Sequence, residues 1–163
     1  MTTEKQNIQD ELSRRHRSAK FVVLGFLILD AFLLGIALVL PASLYKPGDP
    51  SLIMGLWIAI LVFGLGAFVL RRTKFAAMRL KDIAAVKGLS GLLKTLTDTT
   101  IQVASIGGAI ALMGFIILIF TGDWTNMLRA AGVAAIVLIY GYPLRGAWQR
   151  LVTQLDPYTS SGE

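Results

Sequence analysis

Apolar residues run through the chain in four long blocks, separated by polar or basic stretches. The first extends from Phe21 to Leu40 and is broken only by Asp30. The second, Ser51 to Leu70, holds no charge, and the third, Ile101 to Phe120, is polar only at Gln102 and Ser105. The fourth runs from about Asn126 to Leu144, with Arg129 near its start. A hydrocarbon core of about 30 Å is crossed by ~20 helical residues, and each block has that length. The blocks are continuous rather than alternating, and a closed barrel needs about eight strands or more. The pattern predicts an all-α integral membrane protein with transmembrane helices over 21–40, 51–70, 101–120 and 126–144.

The connections Pro41–Pro50 and Thr121–Thr125 leave no room for a folded external domain. Links this short predict two antiparallel helix hairpins. The first block reads as a retained helix. Twenty mostly polar residues precede it, and Pro41-Ala42-Ser43 is only a weak approach to a cleavage pattern. Orientation follows from the basic residues. Of 16 Lys and Arg, all but Lys46 and Arg129 fall in the N-terminal segment, the middle connector or the tail. That bias puts both termini and the connector in the cytoplasm. Tyr45 and Trp124 then fall at the outer interface, and Tyr140, Tyr142 and Trp148 at the inner one. The expected location is a bacterial inner membrane.

Residues 1–20 read as a cytoplasmic amphipathic segment. Thr3 and Gln6 have capping-box spacing, and Ile8 with Leu12 makes a thin apolar stripe. In the basic connector 71–100, the first part continues the second helix until Gly88 and Gly91 break it. Leu89, Leu92, Leu93 and Leu96 then recur at helical spacing, opposite Ser90, Lys94 and Asp98. The stripe fits either a helix lying in the inner lipid interface or a segment packed under the bundle. Residues 146–163 form a cytoplasmic tail. A shift of 74 positions aligns Gly48-Asp49 with Gly122-Asp123 and Ser51 with Thr125. The cause is either duplication or convergent capping, in which Asp and Ser/Thr bind free helix N–H groups.

Composition narrows the chemistry. The chain of 163 residues is 55% hydrophobic and 16% charged, where a soluble domain carries about 25% charged residues. With no cysteine there is no disulfide, thiolate metal site or cysteine nucleophile, and one histidine, His16, cannot form an imidazole cluster. No nucleotide or metal motif is present, so no cofactor is expected. The net charge of +6 fits the inside-positive rule and attraction to anionic headgroups, not nucleic acid.

Asp30 is the anomaly. Ten residues beyond Lys20, it lies about 15 Å along the helix, near the midplane. An ionisable group there costs about 2.5–3.5 kcal/mol on insertion scales, so it faces protein or water. It is a hydrogen-bonded packing device, a proton or cation site, or the partner of Arg129, which otherwise snorkels to the outer headgroups. Small residues mark helix contacts: Ala104, Gly107, Gly108 and Ala111 on the third helix, Ala131 and Ala135 among those on the fourth. In lipid such residues let backbones approach, which makes these two helices the expected tightest pair. Gln102 and Ser105 are placed to hydrogen-bond across helices. Pro143 ends the fourth helix where freed carbonyls reach water. Ser43 and Lys46 have the spacing of a nucleophile pair without its companion motifs.

Minimal extramembrane mass and absent catalytic constellations predict a non-catalytic accessory or scaffold subunit beside larger membrane partners. The alternative is an oligomeric proton- or cation-linked transporter or channel built around Asp30. A lipid- or pigment-binding module is a third possibility.

Overall fold

The computed structural model describes residues 2–39, 45–74, 77–146 and 148–149. The Ser43–Lys46 pair and the tail past Gln149 lie wholly or partly outside these residues, as do the side chains of Thr3, Gln6 and Ile8. The described chain forms four helices: α1 (Thr2–Val39), α2 (Pro50–Lys74), α3 (Ala77–Thr121) and α4 (Trp124–Gly141). All four are long and apolar enough to cross a membrane.

Two helices are much longer than a bilayer is thick. α1 has 38 residues, about 57 Å at 1.5 Å per residue. α3 turns sharply at Gly88, where φ is 67°, a left-handed conformation that glycine adopts without steric cost. The helix restarts there and runs unbroken through Gly91 to Thr121. Of the two glycines expected to break the connector, only Gly88 does so. The leucine stripe is consequently the first two turns of the third spanning helix.

α3 is the centre of the bundle. It contacts all three other helices, and its contact with α4 is the largest of all. Position by position, Val103 meets Gly141, Gly107 meets Leu138 and Gly114 meets Ala130, so α4 runs back along α3. α1 and α2 share almost no contact and flank the α3–α4 pair instead. The short first connection therefore does not make α1 and α2 pack together. The reason lies in residues 45–49, which bind across the end of α3. The Lys46 and Gly48 amides donate to the Ile119 and Phe120 carbonyls at 3.1 and 3.4 Å. A Cβ on Gly48 would lie 2.7 Å from Phe120, so only glycine permits this approach.

Both return helices start alike. The Ser51 amide donates to Asp49 Oδ1 at 3.0 Å, and the Thr125 amide to Asp123 Oδ1 at 2.9 Å. Pro50 follows Asp49 at the first helical position, where its missing N–H costs nothing. The hydroxyl and amide of Thr125 hold the Asp123 carboxyl below its usual range.

Three buried clusters result, the smallest being Val23, Ala104 and Leu138; the other two are larger. One lies among the spanning segments and includes Leu33, Ile60, Ile110, Ile117, Met127, Ala130 and Ala134. The other joins the protruding ends of α1 and α3: Leu12, Ala19, Leu92, Leu93, Leu96 and Trp148.

Candidate functional site

Asp30 sits on the inward face of α1, in line with Val23, Leu33 and Ala37, and is only 5% exposed. One turn before it, Phe26 lies on Gly108, whose missing side chain makes room for the ring. Oδ1 of Asp30 is buried and has no hydrogen-bond partner. An orphaned buried polar atom costs about 1–3 kcal/mol. Oδ1 thus makes no hydrogen bond to a neighbouring helix among the described residues. Nor does it pair with Arg129, which is exposed and lends its charge to Asp123 instead. Among the described residues no cluster of three or more metal-ligating side chains exists.

The small residues divide by face. Ala104 packs with Val23 and Leu138, Gly107 against Leu138, Gly108 against Phe26, and Ala111 lies in the larger core. On α4, Ala131 is buried, but Ala135 is only half-buried. The packed line of α4 is Met127, Ala130, Ala134, Leu138 and Gly141. Ala130 and Ala134, two of the small residues expected to thin α4, belong to the contact, and so do Gly114 and Gly141, which the small-residue pattern did not point to. Among the five small residues from Ala130 to Ala135, the i, i+4 pair of Ala130 and Ala134 marks the packed line. Gln102 and Ser105 are exposed and make no bond across helices among the described residues.

Below the spans, the leucine stripe is covered by protein, not lipid. Leu92, Leu93 and Leu96 are at most 1% exposed, and Leu89 packs beside them. Trp148, expected in the interfacial belt, is instead 2% exposed within this cluster. His16 crosses it edge-on, with ring centres 5.7 Å apart. Nε2 of His16 lies 2.9 Å from the Pro143 carbonyl. The imidazole donates there to the Pro143 carbonyl, two residues past the end of α4, while the Ile139 carbonyl in the last turn accepts from the Tyr142 amide at 3.1 Å. Glu11 ties the two protruding helices: Arg15 Nε and Ser90 Oγ donate to its Oε1 at 2.8 and 2.9 Å. Across the bundle, Tyr140 of α4 stacks on Phe68 of α2, with the Arg71 guanidinium 4.5 Å from its ring centre.

Fold and site together define a multi-pass, all-helical membrane protein with a small protein-covered core at one end of its spans. No known protein family, no curated protein and no solved structure matches the chain.

Proposed function

We propose that the chain is a non-catalytic accessory or scaffold subunit of a bacterial inner-membrane assembly, with two helix hairpins and both termini in the cytoplasm. The observation that carries this reading is the outer face of α2. Gly55 and Gly66 are exposed, fall on one face of that helix, and have nothing within 4 Å of where a Cβ would stand. Ala59 and Val62 complete the stripe. The glycines facing neighbouring helices within the chain, such as Gly107, Gly108, Gly114 and Gly141, are each filled by a neighbour. In lipid, exposed small residues on a helix face let a second helix approach closely. α2 also buries only 11% of its most apolar window, against 50% for α3. The partner is a membrane helix.

Native purification in mild detergent tests this. A stoichiometric partner should co-purify with the parent and be lost when Gly55 and Gly66 are both changed to Leu. A chain that purifies as a lone monomer would overturn the proposal.

The orphaned Oδ1 of Asp30 favours a second reading, a proton- or cation-linked transporter assembled from several copies. Asp30→Asn keeps the shape and removes the charge. Flux into reconstituted vesicles that persists unchanged in this variant, or is absent from the parent, eliminates the transport reading.

A further inference from the structure

A cleft of about 760 Å³ opens between α1 and the stretch that follows α4. Its walls carry three cations, Arg17 and Lys20 from α1 and Arg145 from the other side, and no acid. Among the described residues the one ion pair is Arg15 with Glu11, so nothing acidic neutralises these three. Their arrangement along α1 has a direction. Ser13, Arg17, Lys20 and Leu24 recur at helical spacing on one face, and all line the cleft. The face therefore passes from hydroxyl and charge to hydrocarbon where the first apolar block begins, with Phe21 beside Leu24 on the apolar side. The His16 Nε2–Pro143 carbonyl contact at 2.9 Å joins the two walls, so the cleft is built by tertiary structure and is not a loose basic tail.

We infer that this cleft binds one anionic phospholipid. Its phosphate sits among Arg17, Lys20 and Arg145, and an acyl chain lies along Phe21 and Leu24. Charge at one end and hydrocarbon at the other match a lipid and no soluble anion. Basic pockets at the ends of membrane helices are suited to such headgroups. The inference requires only that the apolar blocks span a bilayer. It does not depend on the partner proposed for α2.

The experiment is native mass spectrometry of the full chain released from nanodiscs of mixed phosphatidylglycerol and phosphatidylcholine. The parent should retain one phosphatidylglycerol in preference to phosphatidylcholine. Changing Arg17, Lys20 and Arg145 together to Gln should weaken that retention about a hundredfold, at roughly fivefold per cation. A control triple, Arg72, Lys94 and Arg129 to Gln, removes equal charge elsewhere and should retain lipid like the parent. Conservative replacement of Arg17 and Arg145 by Lys should also retain it, which separates loss of the site from loss of folding. Glycerol phosphate in solution should not displace the lipid. Equal loss in both Gln triples, no lipid on the parent, or displacement by glycerol phosphate would each overturn the inference.

Discussion

Two buried clusters of this chain, one beneath the spans and one among them, pack by different rules because water competes for one and lipid for the other. Beneath the spans, the cluster of Leu12, Leu92, Leu93, Leu96 and Trp148 uses large side chains. Where water is the competitor, removing apolar surface from it is worth about 25 cal/mol per Å², and bulk is stabilising. Among the spans, the α3–α4 contact seats a neighbour in the space each glycine leaves: Leu138 on Gly107, Val103 on Gly141, and Ala130 with Met127 on Gly114. Lipid tails are as apolar as leucine, so burial gains little there and close backbone approach gains dispersion contacts. One helix, α3, serves both regimes. Its leucine stripe gives way to a face notched by Gly107, Gly108 and Gly114 beyond Thr97, Thr99 and Thr100, which are buried and of which Thr97 and Thr100 donate to carbonyls one turn back at 2.9 Å.

This contrast is open to direct attack. Trp148→Ala should have the largest effect, about 3–5 kcal/mol, because the ring is almost wholly buried. Hydrogen exchange in nanodiscs should show lost protection around Leu92–Leu96 while the α3–α4 span stays protected. Equal loss in both regions would show that the clusters are not separate. Leu93→Ala should follow at about 2–5 kcal/mol with the same local signature. In the span the damaging change is the opposite one, addition of bulk. Gly114→Ala places a methyl group against Ala130 and should cost about 1–3 kcal/mol by overpacking, read as a lower unfolding temperature. A tolerated alanine there would mean that α3 and α4 pack less closely than the geometry requires.

Smaller effects sharpen the picture. Ser90→Ala removes the hydroxyl that donates to Glu11 between α1 and α3. Its exposure keeps the cost near ~0.5 kcal/mol, detectable as faster exchange at the start of α3. The smallest effect is acid loosening of the α4 start. The Asp123 carboxyl is held below its ordinary 3.8, so its ionised form favours the fold. That contribution is complete above the ordinary value and fades as pH falls through the lower folded one. Exchange at the Thr125 amide should rise only on strong acidification, and Asp123→Asn should flatten that pH dependence.

Much of the architecture was legible in the linear chain, because a bilayer demands long uninterrupted apolar helices and leaves few alternatives. The four blocks, the break at Gly88 and the Asp caps at 49 and 123 are local properties. A helix length, a left-handed glycine or a cap two residues from its amide needs no knowledge of distant neighbours. Facing was decided elsewhere. Whether Leu92 and Leu93 meet lipid or protein depended on Leu12 and on Trp148, each more than fifty residues away. That α1 and α2 lie apart depended on residues 45–49 binding the end of α3. Asp30 shows the same division. Its depth followed from counting, but the unsatisfied Oδ1 and the exposure of Arg129 emerged only in the folded chain. Hydropathy is a property of a segment. Which side of a segment is covered, and by what, is a property of pairs of segments, and only tertiary packing assigns those pairs.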